Sequence, residues 1–433
     1  MPDHNHALDA ALAAANAHFE SKRPKTKALH ERAKQVMPGG NTRTVLFSSP
    51  FPIRIEKAEG FWLHDVDGHS YIDFVGEYSA GLYGHSHPRI AAAVAKAVSG
   101  GINMGAHHVG EVDFAETVTK RFGLDMVRFT NSGTEANMMA LGAARCFTKR
   151  SKIMAMMGGY HGGTLYFGGG VSPVNAPFDF VLGRYNDIGT TRALIQTHCG
   201  DLAAVIVEPI LGSGGCIPAT IAFLAMLREV CSQLGIVLIF DEVMTSRLHP
   251  NGYSARIGIQ PNMKTLGKYI GGGMSFGAFG GETKIMQQFD PARPGFLPHA
   301  GTFNNNTLTM TAGQVGLNEI YTPAVCDAHN AFGEALKMRL NDLFMRYQAK
   351  LQVTGVGTLL NIHPVLGDVA RPEDLAAADL RVRRLLFLHL LDAGIYVAER
   401  GFMPLSLMIT QPEANRLVVA VEEFLVKYGR VLT

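Results

Sequence analysis

From about residue 73 to about residue 321, short and continuously apolar segments alternate with amphipathic stretches. Apolar runs at 126–130, 152–157, 202–208 and 236–241 have the length of β-strands, and 135–147 and 221–234 have the pattern of helices. Continuous apolar strands between amphipathic helices indicate a parallel sheet that is covered on both faces. The pattern therefore predicts an α/β domain with its functional residues at the C-terminal ends of the strands.

The segments on either side lack this alternation. Residues up to about 38 predict one or two helices with a break near 22–27, and residues 51–71 predict a meander of strands. After residue 321 the chain predicts an α+β unit, with a helix at 324–350, a strand-like segment at 351–365, and further helices at 375–392 and 413–428.

Composition limits the class of protein. The 433 residues are 47% hydrophobic and 18% charged with a net charge of +2, which is ordinary for a globular protein and gives no basic stripe for nucleic acid. No apolar run reaches the roughly 18 residues that cross a bilayer, so we expect no membrane association. Residues 1–17 lack the order of a signal peptide, and the five cysteines form no CxxC pair. We expect reduced thiols in a cytoplasmic protein.

Lys268 lies in a glycine-rich run between Gly267 and Gly271. A lysine amine can form a Schiff base with an aldehyde when it is neutral, and a desolvated site favours the neutral amine. The run is not a nucleotide-binding P-loop, because Tyr269 stands where that motif has Ser or Thr. From this segment alone, a surface lysine before a turn is the simpler interpretation.

Asp241 ends the apolar run 236–241. A carboxylate is costly there without a cationic partner. A protonated pyridine nitrogen would be such a partner and would keep the ring an electron sink. A helix N-cap is the alternative role for Asp241. The presence of Lys268 further along the chain favours the pairing with a pyridine nitrogen.

Two further segments follow predicted strands. Ser132, Gly133 and Thr134 open a helix, where backbone N–H groups and two hydroxyls suit a phosphate, although a simple cap with Glu135 in the first turn is the alternative. The ring of Tyr160 would stack on a pyridine face or pack in the core. A phosphate loop, an aromatic ring, a carboxylate and a lysine in this order predict pyridoxal 5'-phosphate (PLP) as the cofactor.

Five motifs in this order resemble the class III aminotransferases of PLP fold type I: Ser132-Gly133-Thr134-Glu135-Ala136-Asn137, Gly159-Tyr160-His161-Gly162, Glu208-Pro209, Phe240-Asp241-Glu242-Val243 and Gly267-Lys268. The resemblance extends from about residue 38 to the C-terminus. It implies a large PLP-binding domain over residues 73–322 with a mostly parallel sheet of seven strands. It also implies a small α+β domain built from both termini, residues 1–72 and 323–433.

The resemblance implies a role for each matching residue. Lys268 would hold PLP covalently and carry the proton, and Asp241 would pair with the pyridine nitrogen. Thr302, within Gly301-Thr302-Phe303, would complete the phosphate site of a partner subunit, which implies a homodimer. Glu208 would lie near the cofactor, with a structural cap as the alternative. The other implied cofactor residues are Ser132, Gly133 and Thr134 at the phosphate and Tyr160 and Val243 on the two ring faces.

Residues 38–52 and 77–81 are similar to the β-phenylalanine aminotransferases within the class. By that resemblance Arg43 binds the carboxylate of a β-amino acid, Arg400 binds that of a 2-oxo acid, and Tyr78 contacts the substrate. A guanidinium binds a carboxylate through two hydrogen bonds, which suits both roles. The implied reaction transfers the amino group of an aromatic β-amino acid, such as (S)-β-phenylalanine, to 2-oxoglutarate or pyruvate by a ping-pong mechanism.

The alternative is an isomerase that resembles the glutamate-1-semialdehyde aminomutases, which share the cofactor motifs. One departure bears on substrate contacts: Met244-Thr245-Ser246-Arg247 stands where the family often has a glycine after Asp-Glu-Val. Histidines 85, 87, 107 and 108 have no accompanying Cys or carboxylate pattern with ligand spacing, so we predict no metal site.

Overall fold

The computed structural model describes residues 2–429 and 432. The chain forms two compact units, a larger one of Pro88–Asn330 with Val369–Asp374 and a smaller one of Met1–His87, Ala331–Asp368 and Leu375–Thr433. The domain limits at residues 72 and 322 stay predictions. Among the described residues, no helix has the length and apolar character that crossing a membrane requires.

The described residues form thirteen α-helices: α1 (Pro2–Ser21), α2 (Pro24–Lys34), α3 (Pro88–Gly100), α4 (Val109–Phe122), α5 (Gly133–Thr148), α6 (Ile188–Thr197), α7 (Ile221–Leu234), α8 (Tyr253–Ile257), α9 (Thr283–Met286), α10 (Thr307–Val315), α11 (Pro323–Arg346), α12 (Leu380–Asp392) and α13 (Gln411–Tyr428). A π-helical turn, Gly316–Ile320, extends α10. A break at residues 22–23, within the predicted 22–27, separates α1 from α2, and residues 24–27 are already helical.

The strands are β1 (Ile55–Glu59), β2 (Trp62–Asp65), β3 (Ser70–Asp73), β4 (Met126–Thr130), β5 (Lys152–Met156), β6 (Phe180–Gly183), β7 (Leu202–Val207), β8 (Ile210–Leu211), β9 (Ile217–Pro218), β10 (Val237–Asp241), β11 (Met263–Gly267), β12 (Gly277–Gly281), β13 (Gln352–Val356), β14 (Leu359–His363), β15 (Ile395–Tyr396) and β16 (Phe402–Pro404).

The larger unit is built on a sheet of seven strands in the order β4-β12-β11-β10-β7-β5-β6. Every pair from β11 to β6 is parallel, whereas β12 is antiparallel to both of its neighbours. All residues of β7 and β10 are buried, as expected for strands covered on both faces. The predicted mostly parallel seven-stranded sheet is confirmed.

The smaller unit has two sheets, β1-β2-β3-β15 and β13-β14-β16, around a core that draws on α1, α11, α12 and α13. The strand-like segment 351–365 contains two strands, because the chain turns back at Gly357, which has φ 55°, and forms the antiparallel hairpin β13-β14. The predicted start of a helix at residue 375 is wrong. Helix α12 begins at Leu380, where the Asp379 side chain accepts from the Arg381 N–H.

Candidate active site

The C-terminal ends of six strands lie at one edge of the large sheet. Strands β5, β6, β7, β10 and β11 are parallel, and β4 points the same way because β12 is antiparallel to both β4 and β11. Most of the predicted cofactor residues follow these strands directly or within a short loop. This is the edge at which open α/β sheets bind their ligands.

Asp241 is buried at the end of β10, with 5% of its surface exposed. Its Oδ2 accepts hydrogen bonds from Asn137 Nδ2 and His161 Nδ1, both at 2.8 Å. Its Oδ1 accepts from the Val243 N–H at 3.0 Å. These three donors fix the orientation of the carboxylate, and each hydrogen bond to a charged group is worth about 1.5–3 kcal/mol.

Asn137 and His161 belong to a buried network around this carboxylate. Asn137 accepts from Thr265 Oγ1 at 2.6 Å and donates to the His161 carbonyl at 2.9 Å. Burial alone would lower the pKa of His161, but the hydrogen bond to Asp241 and the charges of Asp241 and Glu208 outweigh it and raise the pKa above 6.5. Asn137, His161 and Thr265 had no predicted role, although all three lie within or beside the motifs of the sequence.

Glu208 follows β7 and uses both carboxylate oxygens on the backbone. Its Oε2 accepts from the Tyr160 N–H at 2.8 Å, and its Oε1 accepts from the Gly212 N–H at 3.1 Å. Burial raises the pKa of Glu208 to about 7, against the opposing effects of His161 and these two N–H groups. The Glu208 carboxylate thus holds the loop that carries Tyr160 in place. This contact matches the structural role that was the alternative prediction for Glu208.

The loop after β4 combines a helix cap with N–H groups that suit an anion. Ser132 is the N-cap of α5, and its Oγ accepts from the Glu135 N–H at 3.2 Å. Thr134 Oγ1 accepts from the Gly163 N–H at 3.2 Å, which ties this loop to the Tyr160 loop. The N–H groups of Gly133 and Thr134 belong to the first turn of α5, which has no intrahelical partners for them. Such donors suit a phosphate.

Lys268 is half-buried at the end of β11, where it begins the 3₁₀ turn Lys268–Gly271. Its φ of 54° lies in the left-handed region, which is uncommon for a non-glycine residue and is often found at functional sites. Val243 packs beside both loops. A β-carbon on Gly133 would lie 3.0 Å from its γ-carbons, and one on Gly267 would lie 3.1 Å from Cγ1.

These residues fit PLP. Asp241 offers a buried and oriented carboxylate for the ring nitrogen, and the first turn of α5 offers N–H groups for the phosphate. Lys268 follows the strand next to the one that ends in Asp241, and it supplies an amine. Tyr160, 46% exposed at the same edge of the sheet, presents an aromatic surface on which a planar ring could stack.

Thr302 is exposed in the larger unit. Its loop contacts the segment after β4 of the same chain through Asn304, whose Oδ1 accepts from Asn131 Nδ2 at 3.0 Å. The structure therefore brings together the other predicted cofactor residues, but it does not join Thr302 to them within this chain.

In the smaller unit, two guanidinium groups lie against one aromatic ring. The Cζ atoms of Arg43 and Arg400 are 5.7 and 5.1 Å from the centroid of the Tyr78 ring. The ring of Phe402 stacks on Tyr78 at 6.2 Å and also lies 5.4 Å from Arg400. The structure thus brings together the three predicted substrate residues and adds Phe402, for which the sequence predicted no role.

Comparison with known proteins decides the family. A family model described as aminotransferase class-III matches residues 47–175 and 182–424. The chain belongs to the class III aminotransferases. It is therefore a PLP-dependent enzyme that transfers amino groups, and its fold is PLP fold type I.

Among the class III aminotransferases, a β-phenylalanine transaminase of Variovorax paradoxus is 50% identical to this chain over 427 residues, 98% of each. The crystal structure of a β-phenylalanine aminotransferase from that organism matches with a TM-score of 0.97, at 50% identity, and covers 98% of this chain and 99% of that one. A glutamate-1-semialdehyde 2,1-aminomutase of Acetivibrio thermocellus is 38% identical over 399 residues, which are 87% of this chain and 92% of the relative. The aminomutase is thus the more distant of these relatives.

Proposed function

We propose that this aminotransferase takes the amino group of an aromatic β-amino acid, with (S)-β-phenylalanine as the model donor, and passes it to 2-oxoglutarate or pyruvate. The observation that carries this proposal is the pair of arginines on Tyr78, at 5.7 and 5.1 Å from the ring. Two guanidinium groups beside aromatic rings suit substrates that combine a carboxylate with an aromatic or apolar body. The similarity to a β-phenylalanine transaminase supports the same donor.

Each residue has a defined task in this proposal. Arg43 binds the donor carboxylate, Arg400 binds the carboxylate of the oxo acid, and Tyr78 separates and orients the two guanidinium groups. Asp241 holds the charge of the ring nitrogen, with Asn137 and His161 fixing its carboxylate. The Lys268 amine would take the proton from the amine-bearing carbon of the donor and pass it to the cofactor, and the oxo acid would reverse this transfer in the second half-reaction. Bound PLP would supply the electron sink for this proton transfer.

Complete transamination reactions with different donor–acceptor pairs test the proposal. Purified holoenzyme receives (S)-β-phenylalanine, its (R) enantiomer, α-phenylalanine or 1-phenylethylamine, each with 2-oxoglutarate or pyruvate, and the amino acid product is quantified. We expect stoichiometric glutamate or alanine from the (S)-β-amino acid, which an aminomutase would not produce. Preference for 1-phenylethylamine, which has no carboxylate, would contradict the role of Arg43.

The two arginines have distinct expected effects. Arg43→Ala removes a charge-assisted contact to the donor and should raise the KM for the donor roughly 10- to 100-fold, while the KM for the oxo acid acceptor stays unchanged. Arg400→Ala should do the reverse. Arg89→Ala, which removes an arginine paired with Glu319 in the larger unit, is the matched control.

We also propose a homodimer in which Thr302 completes the phosphate site of the partner. Ile102, Met104 and Phe303 are large apolar side chains with 44–55% of their surface exposed. They lie on segments joined by hydrogen bonds from Thr307 Oγ1 to the Ile102 carbonyl and between His108 Nε2 and the Asn305 carbonyl. Exposed apolar side chains of this kind, one of them next to Thr302 in the chain, suit an interface with a second copy.

A cytoplasmic location is part of the proposal. All five cysteines are free thiols, and three of them are buried. Reduced cysteines of this kind are typical of a reducing compartment. Fractionation of the source cells with activity or antibody detection would test the location.

A further inference from the structure

The guanidinium of Arg43 pairs with the carboxylate of Glu77 in its own chain. Both side chains are about half exposed, at 45% and 54%. Arg43 is the residue to which the proposed function assigns the donor carboxylate. We propose that Glu77 determines donor specificity as an internal carboxylate that a carboxylate-bearing donor must displace from Arg43. The inference rests on the proposed function and names a further residue of the same site.

The backbone that holds Glu77 is unusual. Glu77, Tyr78 and Ser79 have φ angles of 49°, 53° and 78°, and they follow Gly76 at 45°. Three consecutive non-glycine residues in the left-handed region cost conformational energy, and such a run persists only where its surroundings impose it. Strained segments of this kind cluster at ligand clamps and active sites.

The surroundings impose this turn from two directions. The Asp73 carboxylate accepts from the N–H groups of Val75 at 2.8 Å and Gly76 at 3.1 Å, and it pairs with His85 Nε2 at 3.0 Å. On the other side, a β-carbon on Gly76 would lie 2.6 Å from the Pro404 carbonyl oxygen, so the turn packs directly on β16. The turn places Glu77 against Arg43 and the next residue, Tyr78, beneath the two guanidinium groups.

A donor carboxylate at Arg43 therefore meets a charge that is already there. Either the ion pair with Glu77 breaks, or two carboxylates share one guanidinium and repel each other. The pair is half exposed, so its strength is modest and a bound donor can displace it. Arg400 has a different environment, because it lies on the rings of Tyr78 and Phe402, and the neighbouring Glu399 pairs with Arg384 at 2.9 Å. Glu77 should therefore act on the donor and not on the acceptor.

Binding of 3-phenylpropanoate to the holoenzyme tests the inference, because this acid has the donor's carboxylate and ring without a reactive amine. Glu77→Asn removes the charge and places a residue that tolerates positive φ. We expect its Kd for 3-phenylpropanoate, and its KM for (S)-β-phenylalanine, to fall about two- to fivefold, with less gain at high ionic strength. The KM for the oxo acid acceptor should not change. Glu77→Asp retains the charge in an equally tolerant residue and should show a smaller gain.

Two controls make the result decisive. Glu319→Gln breaks a similarly exposed glutamate–arginine pair in the larger unit and should leave the Kd of 3-phenylpropanoate unchanged. Glu77→Gly also removes the charge and relaxes the turn, so it must behave like Glu77→Asn. Equal or weaker binding of 3-phenylpropanoate by both neutral variants would overturn the role of Glu77. Failure of the wild type to use β-amino acids would instead overturn the proposed function, while the Kd still reports on Glu77.

Discussion

At the scale of single residues, two buried carboxyl groups at the same sheet edge have different partners. Asp241 accepts from the side chains of Asn137 and His161, whereas Glu208 accepts from the backbone N–H groups of Tyr160 and Gly212. Burial raises the pKa of Glu208 to about 7. Asp241 is therefore suited to hold a cation, and Glu208 is suited to hold a loop.

The raised pKa of Glu208 makes stability depend on pH in a defined direction. The folded protein binds this proton more tightly than the unfolded chain, whose ordinary value is 4.5. The resulting stabilisation is complete below pH 4.5 and is lost as the pH rises towards 7. The difference between the two values corresponds to about 3 kcal/mol.

Glu208→Gln removes this titration. We expect the free energy of unfolding of the wild type, relative to that of Glu208→Gln, to fall by about 3 kcal/mol from pH 4.5 to pH 7 and to stay constant at higher pH. Urea titrations of both proteins across this range measure the difference. A difference that does not change with pH would contradict a buried carboxyl with a raised pKa.

At the scale of elements, the loop after β5 depends on one glycine. Gly162 has φ 123°, and a β-carbon there would lie 2.1 Å from Thr134 Oγ1, so the loop can pack on α5 only without a side chain. This loop carries both Tyr160 and His161. The adjacent Gly163 has no atom within 4 Å of its added β-carbon, which makes it a matched comparison.

Gly162→Ala should push the loop away from α5. We expect a loss of about 1–3 kcal/mol in stability and a PLP affinity at least about tenfold weaker, because Tyr160 and His161 move together. Gly163→Ala should resemble the wild type. Thermal unfolding and fluorescence titration of the apoenzyme with PLP measure the two effects. Equal PLP affinities for the two variants would show that the loop adapts without loss.

Elements with a recurring pattern of apolar side chains were predictable from the sequence, and those held by tertiary contacts were not. Strand β4 and helix α7 have the predicted limits, because apolar side chains recur in the strand and along one face of the helix. Strand β12 was missed, since its glycines carry no pattern. The need for glycine in this strand comes from a tertiary contact, because a β-carbon on Gly277 would lie 2.1 Å from the Ser132 carbonyl oxygen.

The same division applies to the site. A role for Asp241 was predictable because it ends a buried strand, where a charged group needs a partner. A role for Lys268 was predictable only from its place after the other motifs, because its own segment also fits a surface lysine before a turn. The roles of Asn137 and His161 depend on hydrogen bonds that span 104 and 80 positions of the chain. No local pattern reports such pairings, although both residues lie inside motifs that the sequence already singled out.

At the scale of the whole molecule, each active site of the proposed homodimer would contain residues of both subunits. Thr302 is exposed beside Phe303, and Asn304 joins the same loop to Asn131 in the phosphate-loop segment of its own chain. If Thr302 serves the partner, one subunit supplies Lys268 and Asp241 while the other supplies the threonine. This arrangement predicts complementation between two variants that are each impaired.

Thr302→Ala and Asp241→Ala can be co-expressed with different affinity tags, and the hybrid dimer can be purified through both. In that hybrid, the Thr302→Ala subunit retains Lys268 and Asp241 and receives an intact threonine from its partner, so one of two sites is complete. We expect about half of the wild-type kcat per dimer, above either homodimer, because a two-fold symmetric dimer has two equivalent sites. A hybrid of Asp241→Ala with Lys268→Ala has no complete site and should stay inactive. If Thr302 acted within its own subunit, the first hybrid would gain nothing over the Thr302→Ala homodimer.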